Sequence, residues 1–141
     1  MKKEIFKSYD IRGIYKKDIN EADATSIGYA ISAFLGRGEY CIGHDARTMA
    51  PSICNALIEG VIMSGSNVIE IGMCHTPLVY FATANLGLNG GIMITASHNP
   101  PEYIGIKVCR ENAIPVGGED GLQEIYKIAS TTQPVSTKRG T

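Results

Sequence analysis

Six consecutive residues, Thr95-Ala96-Ser97-His98-Asn99-Pro100, join a hydroxyl, an imidazole and a chain-breaking Asn-Pro pair directly behind a short apolar run, Ile92-Met93-Ile94. An apolar run bounded by turn formers reads as a buried strand. A Ser at its end presents a hydroxyl at the strand's carboxyl edge, where open α/β sheets bind ligands. His98 beside it can move protons near neutral pH. The group suits a hydroxyl that carries a transferred group and splits one exchange into two half-reactions. Its alternative is a turn Ser bonding its own backbone. Two cations are the further candidates. Arg12, followed by Gly13, offers a planar fork that matches phosphate oxygens. Lys107 interrupts the apolar segment Ile104-Gly105-Ile106-Lys107-Val108, where Gly105 permits close backbone approach. The same Lys also fits the exposed side of an alternating strand. Asp45 and Arg47 read as a turn-stabilising pair, and His44 and His75 as ordinary loop residues.

Four segments, in order, resemble one family. Thr95–Pro100 resembles the phosphoserine loop of the α-D-phosphohexomutases, the phosphoglucomutase/phosphomannomutase superfamily. Phe6-Lys7-Ser8-Tyr9-Asp10-Ile11-Arg12-Gly13 is similar to that family's amino-terminal loop, Gly43-His44-Asp45-Ala46-Arg47 to its G-x-D-x-R turn, and Gly105-Ile106-Lys107 to the G-[FIL]-K after the serine loop. One departure is Ile104, where many members carry Asn. Tyr9–Gly13 with Thr95 is closer to the phosphomannomutase/phosphoglucomutase branch than to the phosphoglucosamine branch. The resemblance implies a phosphorylated Ser97 that exchanges its phosphoryl group with a hexose phosphate through a bisphosphorylated sugar. It implies catalytic roles for Ser97, His98, Lys107 and Arg12, with substrate contacts from Tyr9, Arg12 and Lys107. It also implies Mg²⁺ held through the Ser97 phosphate, with its other ligands outside these residues, and a bisphosphorylated hexose as activator. Members have four domains, and their D-G-D-x-D-type metal segment has no counterpart here, because no D-x-D occurs. Residues 1–135 therefore read as the amino-terminal domain, residues 136–141 as a linker or cut end, and the isolated chain as inactive. The partners are then a phosphosugar and the remaining domains. The other reading is a free-standing, non-enzymatic α/β module that binds phosphate or a protein.

Composition bounds these readings. The chain has 141 residues, 44% of them hydrophobic, which suits one domain with a real core. Lys and Arg number 13 against 14 Asp and Glu, so the net charge of −1 makes no electrostatic case for nucleic acid or an anionic membrane. There is no 18-residue apolar run and no apolar stretch behind Lys2-Lys3 of the kind a signal peptide needs. Cys41, Cys54, Cys74 and Cys109 are widely spaced and read as reduced thiols of a cytoplasmic protein. Cys74 and His75 are adjacent, and two adjacent ligands do not make a tetrahedral zinc site. No G-x-G-x-x-G or G-x-x-x-x-G-K-[ST] motif occurs, which weakens dehydrogenase and NTPase readings.

The positioning elements alternate. A helix is expected over residues 21–35, with Asn20 as N-cap and Gly36 as stop. A strand at 40–42 follows, then a helix with Pro51 in its first turn. Next come a strand at 68–71, a helix from an N-cap at Thr76 to about Leu86, strands at 92–95 and 104–108, and a last helix marked by Leu122, Ile125, Tyr126 and Ala129. Residues 6–13 are expected to be loop, and the chain from Thr131 on is polar and unpatterned. Alternation predicts an α/β fold, a three-layer α/β/α sandwich. The short link from the serine loop makes the last strand antiparallel, because parallel neighbours need long crossovers. The predicted sheet is mixed and four-stranded.

Overall fold

A computed structural model describes residues 1–141. The elements run β1 Ile11–Ile14, α1 Glu21–Leu35, β2 Glu39–His44, α2 Ala50–Met63, β3 Asn67–Met73, α3 Thr76–Asn85, β4 Gly90–Ile94, β5 Tyr103–Arg110 and α4 Gln123–Ala129. They form an α/β/α sandwich around a mixed sheet of order β1-β5-β4-β2-β3. β2 pairs in parallel with β3 and β4, while β5 runs antiparallel to both β4 and β1. The sheet therefore has five strands, not four. The added strand is β1, in the segment expected to be loop. Its four residues, Ile-Arg-Gly-Ile, carry too little alternation to stand out. They become a strand because β5 offers an open edge, and Ile11 pairs with Ile106 and Arg12 with Gly105.

Side-chain alternation sends the two sheet faces to different layers. Ile42, Ile92, Ile94, Ile104 and Ile106 join α1, α2 and α4 in the larger core. Cys41 and Met93 join Val79 of α3 on the other side. β4 is buried along its whole length. α1 starts as its sequence indicates: Asn20 accepts from the Asp23 N–H and Asp23 accepts from the Asn20 N–H, each at 3.0 Å. It stops at Gly36, whose φ of +103° suits glycine. At α3 the N-cap is His75 rather than Thr76, with extended backbone and no capping side chain, and Pro77 lies in the first turn. The chain after Ala129 forms no helix or strand. It is tied down nonetheless, with the Ser136 N–H donating to Met63 O and the Val68 N–H to Thr141 O. All four cysteines are free thiols, and burial pushes the Cys54 thiol up to about 12. No helix is long and apolar enough to cross a membrane.

α1 and α2 touch backbone to backbone through glycines. A Cβ on Gly28 would come within 2.1 Å of Leu57 O, and one on Gly60 within 1.9 Å of Thr25 O. Neither carbonyl can retreat without parting the helices. Gly60→Ala is therefore expected to lower stability by about 2 kcal/mol, the cost of overpacking a tight interface, read from the midpoint of urea unfolding. An unchanged midpoint would contradict this account of the helix pair.

Candidate functional site

β4 delivers the chain to the middle of the sheet's carboxyl edge, and residues 95–102 then turn it into β5. Thr95 and Ala96 are still buried, whereas Ser97 and His98 are exposed. Ser97 has φ +52°, a left-handed conformation that costs a non-glycine residue of order 1 kcal/mol. It persists because the surroundings hold the loop. The Ser97 N–H donates to Thr95 Oγ1 at 3.0 Å and the Asn99 N–H to Ala96 O at 3.0 Å.

Arg47 supplies the rest from the turn after β2. Its Nε–H donates to Asp45 Oδ2 at 3.2 Å. Nη1 donates to Pro100 O at 2.8 Å and Tyr103 O at 3.1 Å. Nη2 donates to Ser97 O at 3.0 Å and Asn99 O at 2.9 Å. The expected Asp45–Arg47 pair is present, and the Arg47 N–H also donates to Asp45 Oδ1. The reach of Arg47 across the edge to the serine loop has no signal in the local sequence.

On the other side of the loop a second charged group assembles. Arg12 stands opposite Gly105, and Lys107 follows two residues along the same face of β5. A Cβ on Gly105 would lie 2.6 Å from Thr95 O and 2.9 Å from Ile11 O, so glycine is what lets the strands close up here. Both cations meet the buried carboxylate of Asp10, Arg12 through Nη2 and Lys107 at 3.5 Å. Arg12 Nη1 donates to the Asn99 side chain, so the group is joined to the serine loop. Arg12 Nε is buried without an acceptor. Burial first, then the charges of Cys109 and Asp10, push the nearby Tyr80 phenol up.

Of the residues singled out from the sequence, Arg12 and Lys107 come together, on Asp10, and Arg12 reaches the serine loop through Asn99. Neither is hydrogen-bonded to the Ser97 hydroxyl. His98 is exposed and makes no hydrogen bond. Tyr9 is 84% exposed and lies outside the network. Asp10, which the sequence places only within the segment similar to the amino-terminal loop, is the anion that organises the cations. An open cleft of about 670 Å³ adjoins Ser97, between the Asp45–Arg47 turn and Met73-Cys74-His75. Burial pushes the Cys74 thiol in that wall up.

Residues 3–135 match the family described as "Phosphoglucomutase/phosphomannomutase, alpha/beta/alpha domain I". A phosphomannomutase of Klebsiella pneumoniae is 45% identical over 139 residues, covering 96% of this chain and 88% of that protein. A phosphomannomutase of Escherichia coli is also 45% identical over 139 residues, but there the chain spans 30% of the relative's length. The solved structure of a phosphoglucomutase/phosphomannomutase family protein from Burkholderia thailandensis superposes with a TM-score of 0.87 at 32% identity, covering all of this chain and 32% of that one.

The charge arrangement makes a direct prediction. Asp10→Asn keeps the shape but leaves two cations facing a neutral amide. Stability is expected to fall by about 2 kcal/mol, less than for a fully buried pair because Arg12 and Lys107 keep some access to water. The urea midpoint of the variant measures it, and a variant as stable as the parent would show that the three charges are not coupled.

Proposed function

The chain belongs to the phosphoglucomutase/phosphomannomutase family, as its α/β/α domain I, and from that premise we propose that it supplies the phosphoserine of a mutase interconverting hexose 1-phosphate and hexose 6-phosphate. A sugar hydroxyl oxygen attacks the phosphorus on Ser97. The Oγ–P bond breaks as the new O–P bond forms, the sugar hydroxyl gives up its proton, and Ser97 Oγ regains one. The bisphosphorylated sugar turns around, and the reverse step returns the other phosphoryl group to Ser97, so atoms balance over the cycle. Charge neutralisation and alignment carry most of the rate in such a transfer.

The observation that carries this reading is the unspent donor on Arg12. Burying a guanidinium N–H without an acceptor is unfavourable, and a phosphate oxygen would relieve it. Lys107 adds a second positive charge beside it. His98, exposed next to Ser97 and free of hydrogen bonds, is available to exchange the proton. Tyr9, on the rim, is offered as a sugar contact. Mg²⁺ needs several oxygen ligands in octahedral array, and no three carboxylate, His or Cys side chains are grouped here to hold a metal. The residues present do not complete such a site, and no step above runs through one.

Two experiments test the proposal, both with a coupled assay on glucose 1-phosphate and mannose 1-phosphate in the presence of Mg²⁺ and a hexose bisphosphate. In the full natural chain carrying this sequence, Ser97→Ala is expected to remove nearly all mutase activity and to lose a phosphoryl group seen by intact mass in the parent. Phosphate retained on the Ala variant would overturn the assignment of Ser97. The 141-residue chain alone is expected to show no turnover, because it spans only 30% of the Escherichia coli relative's length and the groups that hold the sugar's far phosphate are expected in the remainder. Robust turnover by this chain would show a self-contained active site.

A further inference from the structure

Arginine has five N–H donors, fixed in one plane. On Arg47 all five are used: one on Asp45 and four on the carbonyls of Ser97, Asn99, Pro100 and Tyr103. Those four carbonyls span the whole turn that carries the Ser97 hydroxyl, from the strained residue itself to the first residue of β5. The side chain is only 12% exposed, with its bonds to Tyr103 O and Asn99 O partly buried and those to Ser97 O and Pro100 O at the surface. No donor is left over for a ligand. This is the opposite of Arg12, whose Nε is still without an acceptor.

We propose that Arg47 is a positioning residue for the transfer at Ser97: its guanidinium holds the serine loop in the left-handed geometry from which Oγ meets the incoming group. The proposal rests on Ser97 being the phosphoryl carrier. The places where the bonds fall point to position rather than mere stability. Two of them seat on the carbonyls of Ser97 and Asn99, and Asn99 is also the residue that Arg12 Nη1 grips. One guanidinium thus sets both the hydroxyl and the side chain that aims the phosphate-facing arginine. Lysine cannot replace it. A single ammonium keeps the charge beside Asp45 but has three donors on one atom and cannot bridge four carbonyls spread along a turn.

The test uses the full natural chain with Arg47→Lys and Arg47→Ala, and Ser97→Ala in parallel. Arg47→Lys is expected to lower kcat about 100-fold, the scale of an ångström-level misplacement of a reacting group. KM for the sugar phosphate should stay within about threefold, because Arg47 has no donor to offer the substrate. Millimolar guanidinium is expected to restore part of the kcat of Arg47→Ala and none of that of Ser97→Ala. Rescue of kcat with the folded fraction of Arg47→Ala unchanged separates a positioning role from one in folding alone. Arg47→Lys with kcat near that of the parent, while Ser97→Ala is inactive, would overturn the proposal. So would a change confined to KM, or activity that merely tracks the folded fraction in both Arg47 variants. Full activity in Ser97→Ala would instead overturn the phosphoserine reading, and Arg47 would lose its role with it.

Discussion

A guanidinium at the rim of a sheet must find acceptors for five N–H groups or leave them stranded, and Arg47 finds four of its five along one turn. That demand ties together three parts of the chain far apart in sequence: the turn after β2, the end of β4 and the start of β5. The sheet order makes the tie possible. β2 and β5 flank β4 on either side, so a side chain leaving the β2 end can lie across the mouth of β4 and reach β5. The backbone adds its own bond at the same place, with the Asp45 N–H donating to Ile94 O at 2.9 Å. A positive φ at Ser97 is tolerable in this setting because several independent bonds agree on it.

The two arginines at this edge show how one residue type serves opposite ends. Arg47 is saturated, paired with Asp45 and committed to backbone. Arg12 is divided among Asp10, the Asn99 side chain and nothing at all at Nε. Saturation makes a group rigid, and an unmet donor makes it receptive. The difference follows from backbone surroundings. Arg47 faces a turn whose carbonyls point outward without sheet partners. Arg12 lies within edge strand β1, and the acceptors its guanidinium meets there are the side chains of Asp10 and Asn99.

Much of this was legible from residue types alone. Asn20 and Gly36 announce both ends of α1, and the short link after Ser97 dictates an antiparallel β5. The serine loop stands out because Ser, His, Asn and Pro follow an apolar run. β1 was not legible, since an edge strand of four residues with Arg and Gly inside it owes its existence to the open edge of β5 rather than to its own pattern. Nor was the N-cap of α3, where Thr76 has the better capping chemistry but the chain is still extended at His75. The partners of Asp10 and the loop contacts of Arg47 escaped because they are distant in sequence: Asp10 meets Lys107, 97 positions further along the chain, and Arg47 meets Tyr103, 56 positions further along. Spacing along the chain carries no information about such pairs until the strands are placed.

The charge balance of the two clusters gives the site its direction. Asp45 and Arg47 cancel, so the clamp on the loop is electrically quiet. On the other side Arg12 and Lys107 share the single carboxylate of Asp10, which leaves one positive charge uncompensated beside the loop. A phosphate ester carries about −1.5 to −2 charges near neutral pH, so an ester on the loop would match that excess and go beyond it. The same ester would compete with Asp10 for both cations, because one carboxylate cannot hold them as firmly once a stronger anion is within reach. Asp10 therefore does two things that pull against each other. It keeps Arg12 and Lys107 together, and under the proposed function it would set how much they give up to a phosphate on Ser97. A saturated clamp on one side of the serine and two cations sharing one carboxylate on the other is an arrangement that would suit a hydroxyl held in place while, on the proposed function, the charge around it changes.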